Sequence, residues 1–180
     1  MSLFDNAGTV VTPAQSDESR VEARSRAHAA STSGDWLSMV LQHHVQIKKS
    51  FVAVKAAADP ATRVAAQRKL GVILTGHSIA EETVLYPALM TANEKGQSTM
   101  AYTEHSAAKV QMALLERIAP MTQPYLDKLE HIQGAVAHHV YEEEGTWLIE
   151  LKEKISAVNQ AKWTQRYKEK FTRYVGADAM

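Results

Sequence analysis

The sequence predicts an all-α fold, an antiparallel up-down-up-down four-helix bundle with extra N- and C-terminal helical segments. Three observations carry this reading. Only eight glycines and five prolines occur in 180 residues, while Ala, Leu, Glu, Lys and Gln are abundant, a composition that favours helix. No stretch alternates apolar and polar residues with the two-residue period of a half-buried strand. Four stretches separated by turn-forming residues carry apolar side chains at three- and four-residue steps, the period of one helical face.

Residues 1–33 read as an N-terminal arm, within which 17–31 can form a short polar helix. The bundle is expected over 34–155. After Ser33-Gly34-Asp35, the residues Leu37, Leu41, His44, Ile47, Phe51 and Val54 share one face of a first bundle helix ending near Ala58. Asp59-Pro60 is a helix start, with Asp as the N-cap and Pro at the first helical position. The second helix carries Leu70, Leu74, His77, Glu81, Val84 and Ala88 and should be disturbed near Pro87. The third, from about Ser98 to Ala119, turns Tyr102, His105, Ala108, Met112 and Leu115 inward; Pro120 and Pro124 punctuate the connection that follows. The fourth carries Leu129, Ile132, Val136, His139, Glu143 and Trp147. A C-terminal amphipathic helix over 156–180, with Trp163, Tyr167, Phe171 and Tyr174 at helical spacing, is expected to pack on the bundle. A homodimer through this stripe is the sharper alternative. Its Lys162, Arg166, Lys168, Lys170 and Arg173 read as a solvated face.

Composition narrows the function. Twenty Lys plus Arg balance twenty Asp plus Glu, which argues against general nucleic-acid binding or attachment to an anionic membrane. Cysteine is absent, which excludes disulfides, thiolate catalysis and cysteine-held metals. No apolar run approaches the roughly 18–20 residues needed to span a bilayer. No signal peptide is visible, so a cytoplasmic location is expected.

The chemistry lies in the stripes themselves. Each carries a histidine where an aliphatic side chain belongs, and two carry a glutamate four residues later: His77 with Glu81, and His139 with Glu143. Positions i and i+4 lie above one another on a helix, so imidazole and carboxylate can reach the same ion. The spacing from His44 to His77 is 33 residues and from His105 to His139 is 34, a pseudo-repeat of one helical hairpin. His44 and His105 each lie 14 residues before the hairpin turn, and His77 and His139 each 17 after it. At a rise of about 1.5 Å per residue, both hairpins put these groups at similar depth. A single histidine on such a face is more often a hydrogen-bonded core residue. Four in register with two carboxylates are different, because burying an unpaired carboxylate costs several kcal/mol or forces it to take a proton. Lys109 is the one cation near enough to approach; two bound metal ions would balance charge and lone pairs together. Imidazole and carboxylate without sulfur suit Fe, Mn, Zn, Co or Ni. Six donors are too many for one catalytic zinc. The residues therefore point to a dinuclear site, with iron first and Mn or Zn as substitutes.

With those residues in view, the chain resembles the hemerythrin-like, or HHE cation-binding, family. The segments that carry the resemblance are QHHVQIKKSF (Gln42–Phe51), GHSIAEETVLYPAL (Gly76–Leu89), EHSAAK (Glu104–Lys109) and HHVYEEEGTWL (His138–Leu148). The resemblance implies a non-haem di-iron centre with oxo or hydroxo and carboxylate bridges, interacting with oxygen, peroxide or nitric oxide. Carried over by position, the ligands it implies are His44, His77, Glu81, His105, His139 and Glu143. One departure stands out. Oxygen-carrying hemerythrins have a fifth histidine from a pair spaced by four on the third helix, and here the positions four residues from His105 are Ala101 and Lys109. One iron is then less saturated, with room for water, a tyrosine or a substrate, which favours redox turnover or sensing over reversible oxygen carriage.

Neighbouring residues compete for the same roles. His138 with Glu142 repeats the i,i+4 spacing, but His139 with Glu143 preserves the apolar stripe. His43 precedes His44 and points about 100° away. Glu82, Glu142 and Glu144 read as solvated or supporting rather than ligating. Tyr102 is expected to pack in the core with its hydroxyl satisfied, the alternative being an extra donor to the site. His28 and His131 receive no role. The functions that remain are a protein reacting with a small oxidant, a sensing module read by a partner protein, and an iron-handling protein. A dedicated cysteine-containing repair segment is absent, which lowers the last.

Overall fold

The structure is a computed structural model that describes residues 15–91 and 95–176. The first part of the expected N-terminal arm therefore lies outside the described residues. Among the described residues there is no strand, and the order of elements is α1 (Asp17–Ala30), α2 (Trp36–Ala56), α3 (Pro60–Val84), α4 (Tyr86–Thr91), α5 (Lys95–Leu115), α6 (Gln123–Glu142), a π-helical turn (Glu143–Trp147), α7 (Leu148–Lys154) and α8 (Ala157–Val175). The up-down-up-down bundle is α2, α3, α5 and α6, with the π-turn and α7 prolonging α6. Packing is most extensive within the pairs α2–α3, α3–α8 and α5–α6.

The helix starts follow local chemistry. Asp35 caps α2 by accepting from the Ser38 N–H at 2.7 Å, and the preceding turn is completed by Gly34 at φ +81°, a conformation open to glycine at no steric cost. Asp59 caps α3 through the Thr62 N–H at 2.9 Å, with Pro60 in the first turn. Ser16 and Ser156 cap α1 and α8 in the same way. The break after α3 falls where Pro87 has no N–H to give to the preceding turn, so the chain re-enters helix at Tyr86.

Two apolar clusters fill the bundle. One gathers Trp36, Leu37, Val40, Leu41, Ala80, Val84, Trp147, Tyr167 and Phe171. The other gathers Ile47, Phe51, Val54, Leu70, Ile73, Met112, Leu115, Leu129 and Ile132. Along α2 and α3, His44 and His77 fall between the two clusters, and Glu81 follows beside Ala80 at the edge of the first. At the far end, buried Arg63 ties the α2 and α5–α6 connections by donating to the carbonyls of Ala57 at 2.6 Å and Pro120 at 2.9 Å. The aromatic stripe of α8 packs on α2 and α3 of its own chain, with Tyr167 and Phe171 fully buried. Gly76 permits the close approach: a Cβ there would lie 2.6 Å from Val175 Cγ1. Among the described residues, no helix is long and apolar enough to cross a membrane.

Candidate metal centre

His44, His77, Glu81, His105, His139 and Glu143 converge in one cluster, and none is more than 5% exposed. They divide into two halves that follow the two hairpins. In half A, donor atoms of His44, His77, Glu81 and Glu143 lie within 4.8 Å of one another; in half B, Glu81, His105 and His139 do the same. Each carboxylate faces one imidazole of each half. Glu81 Oε2 is 3.1 Å from His77 Nε2 and 3.5 Å from His105 Nε2. Glu143 places Oε2 at 3.2 Å from His44 Nε2 and Oε1 at 3.4 Å from His139 Nε2.

Every one of these imidazoles turns Nε2 inward and anchors Nδ1 elsewhere. His44 Nδ1 donates to Glu144 at 2.8 Å, and Glu144 is clamped from outside by Arg24 through bonds of 3.1 and 2.9 Å. His105 Nδ1 donates to Glu82 at 3.1 Å, which also takes the Lys109 ammonium at 2.6 Å. His139 Nδ1 donates to Glu104 at 2.7 Å. His77 Nδ1 lies 3.2 Å from the Tyr167 hydroxyl of α8. Partners of this kind fix the tautomer that leaves Nε2 free for an ion, and raise its basicity. Glu82 and Glu144 thus support the site rather than facing solvent. Glu104 is a neighbour that the stripe pattern did not single out, and Tyr167, expected from its stripe only to pack on the bundle, also reaches His77. The doublets Glu81-Glu82, Glu143-Glu144 and Glu104-His105 were the available signal.

The π-turn explains how consecutive glutamates can grip one ring. Leu148 N–H reaches back five residues to the Glu143 carbonyl, and the widened turn lets Glu143 face Nε2 of His44 while Glu144 takes its Nδ1. The competing register is not the one adopted: His138 turns instead to Gln15, at 3.1 Å. Tyr102 donates to the Glu82 carbonyl oxygen at 2.7 Å, the satisfied core role.

A residue absent from the expected set occupies the centre of half B. The Tyr86 hydroxyl lies 2.9 Å from Glu143 Oε1, 3.1 Å from His105 Nε2, 3.2 Å from His139 Nε2 and 3.3 Å from Glu81 Oε2. One proton and two lone pairs cannot satisfy four such neighbours at once. In half A the shortage is plainer still, since His44 Nε2, His77 Nε2, Glu81 Oε1 and Glu143 Oε2 are buried without any hydrogen-bond partner. Buried polar atoms without a hydrogen bond cost free energy, and a metal ion at their focus, in place of protons, satisfies all of them. The donor set therefore fits metal ions.

Protonation carries the same message. Burial works against charge on His44, yet Glu143 and Glu144 outweigh it and raise its pKa to about 9. Burial likewise opposes charge on His139, where Glu143 and Glu104 raise the value to about 10. Burial and the neighbouring His44 push His77 well down, and burial lowers His105. Glu81 is driven well up by burial and by Glu143; Glu143 stays well below its ordinary value, because His139 and His44 overcome its desolvation. Each half thus holds one proton-rich and one neutral imidazole, so protons balance the carboxylates of the metal-free cluster.

A cavity of about 670 Å³ reaches His77, His105 and His139 from the side of α3, α5 and α6. Its walls include Ile47, Leu74, Ala108, Met112, Ile132 and Val136.

These features define a helical bundle with a buried His/Glu cation-binding cluster. The chain belongs to the hemerythrin HHE cation-binding domain family, whose model matches residues 36–150. All six converging residues and Tyr86 fall inside that match, whereas Arg24 and Tyr167 fall outside it. A protein named DNA nickase from Nostoc sp. (strain PCC 7120 / SAG 25.82 / UTEX 2576) is 28% identical over 95 residues, 53% of this chain and 27% of that protein. The chain thus spans about a quarter of the length of that curated relative. No solved structure matches the chain.

Proposed function

We propose that this protein holds two irons between its helical hairpins and binds or reacts with a small oxidant: oxygen, peroxide or nitric oxide. The residues that would hold them are His44 and His77 in half A, His105 and His139 in half B, and Glu81 and Glu143, each of which faces an imidazole of both halves. The observation that carries it is the set of four orphaned donor atoms in half A, buried where α2, α3 and the π-turn meet. Tyr86 offers a seventh donor to half B, where the sequence lacks a fifth histidine four residues from His105.

When bound, a pair of irons supplies one-electron redox steps and an open position for a small molecule. The chain's own groups do the rest. Glu144, Glu82, Glu104 and Tyr167 hold the four rings with Nε2 inward. The Tyr86 hydroxyl holds a proton between the two carboxylates; burial, Glu143 and Glu81 keep its pKa well above the ordinary value while no metal is present. The apolar cavity admits small molecules to His77, His105 and His139 and limits water. Manganese or zinc fits the same donors. A sensing or iron-handling module acting through a partner protein is the alternative, with the same ligands.

Elemental analysis joined to absorption spectroscopy tests this. Two irons per chain are expected, with a visible phenolate-to-ferric band that Tyr86→Phe removes while both irons stay. Consumption of peroxide by the loaded protein would favour reaction over sensing. No metal, or a single zinc, after anaerobic iron loading would overturn the proposal.

A further inference from the structure

Helix α8, which lies outside the family match, makes contact with half A. His43 is the neighbour of a candidate ligand but faces away from the cluster, and it is buried at 5% exposure. Its ring stacks on Phe171 with centroids 3.6 Å apart and an interplanar angle of 17°, and lies 5.5 Å from the ring of Tyr167. Its Nδ1 is 3.0 Å from the Tyr167 hydroxyl, and the same hydroxyl is 3.2 Å from His77 Nδ1. One phenol oxygen therefore links two imidazoles.

The direction of these bonds is fixed by proton counting. A phenol has one proton, so it donates to one ring and accepts from the other. Were Tyr167 to donate to His77 Nδ1, a neutral His77 would carry its proton on Nε2 and present no lone pair to an ion. The working arrangement is the reverse. His77 Nδ1–H donates to the Tyr167 oxygen, and the Tyr167 O–H donates to His43 Nδ1, which leaves the His43 proton on Nε2.

From this geometry we infer that Tyr167 is a positioning residue for half A, with His43 as the acceptor that sets the direction of its hydroxyl. It acts through His77 and touches no ion itself. Helix α8 is then part of the centre rather than a cover laid on it. Gly76, beside His77, is what lets α8 come close enough. The inference rests on the proposed dinuclear reading, and its test separates the two.

Tyr167→Phe keeps the ring and its packing and removes only the hydroxyl. Stepwise titration with Co(II), followed by absorption and chelator competition, should show one of the two binding steps weakened 10- to 100-fold, the range expected when a ligand's outer partner is lost. The other step should be unchanged. Phe171→Leu disturbs the stack on His43 and spares the hydroxyl; it should lower thermal stability and leave both steps alike. Equal, wild-type affinity at both steps in Tyr167→Phe would overturn the inference. Nitrogen-15 NMR of the histidine rings gives the second readout, on zinc-loaded and on metal-free protein. His43 should carry its proton on Nε2 in the native chain and lose that fixed tautomer in Tyr167→Phe. A His43 proton on Nδ1 would overturn the relay. If the native chain takes up no metal, the dinuclear reading fails and this inference falls with it; metal uptake with the His43 proton on Nδ1 overturns the relay alone.

Discussion

The two halves of the cluster descend from one hairpin pattern but are finished differently. In half B, His105 and His139 anchor on Glu82 and Glu104, which sit beside the core stripes of the bundle helices themselves. In half A, His44 anchors on a glutamate of the π-turn that α1 clamps through Arg24, and His77 anchors on Tyr167 of α8. The inner faces differ too. Half B has the Tyr86 hydroxyl among its Nε2 atoms, whereas both Nε2 atoms of half A face only a glutamate carboxylate and make no hydrogen bond. Half B is completed by the bundle helices and by α4, which lies between two of them; half A depends on the terminal helices α1 and α8. An internal repeat therefore does not imply two equal sites, because the terminal helices cover only one side.

Removing what the halves share gives the largest effect. Glu81→Gln keeps the shape and loses the carboxylate that faces both halves, so metal binding should collapse in A and B together, by more than the roughly 100-fold that an outer partner is worth. The same change should raise the melting temperature of the metal-free chain, since a buried carboxylate whose pKa is driven up by burial and by Glu143 is a cost there. Metal stoichiometry and melting curves with and without a chelator check both signs. A variant that still binds two metals would dissolve the idea of a shared carboxylate.

Breaking the halves separately gives a smaller, selective effect. Glu144→Gln should weaken only the half A step, by about 10- to 100-fold, and should also lower stability, because Arg24 loses its charged partner. Glu104→Gln should weaken only the half B step and lower stability less than Glu144→Gln, since it loses its bond to His139 but no arginine clamp. Titrations of the two variants that look alike would erase the distinction drawn between the halves.

Proton linkage gives the smallest effect per pH unit. Without metal, His44 and His139 sit at about 9 and about 10 against an ordinary 6.5. Their stabilisation is complete below 6.5 and is lost as pH rises through those values. His43, at about 3, and the lowered His77 and His105 work oppositely. Below 6.5 the unfolded chain takes up their protons and the folded chain does not, so stability falls as pH falls. The metal-free melting temperature should peak near neutrality and decline on both sides. A flat alkaline limb would contradict the pairing of His44 and His139 with Glu143.

Much of this was legible in the sequence because helical order is local. A 3.6-residue period assigns Leu37, Leu41, His44 and Ile47 to one face without knowledge of any other helix, and Asp59-Pro60 marks a start by its own chemistry. The convergence of four histidines and two glutamates followed from hairpin arithmetic. The tertiary structure alone decided what lies across helices. Glu144 reaches His44 because a π-turn inserts a residue that no periodicity announces. Tyr86 enters half B because the chain breaks before Pro87 and re-aims the ring, although Tyr102 has the better helical spacing to His105. Tyr167 meets His77 because Gly76 lets α8 approach. Spacing within a helix is set by backbone geometry, but the rotation of one helix against another is set by the sum of many side-chain contacts, and those exist only once the chain has packed.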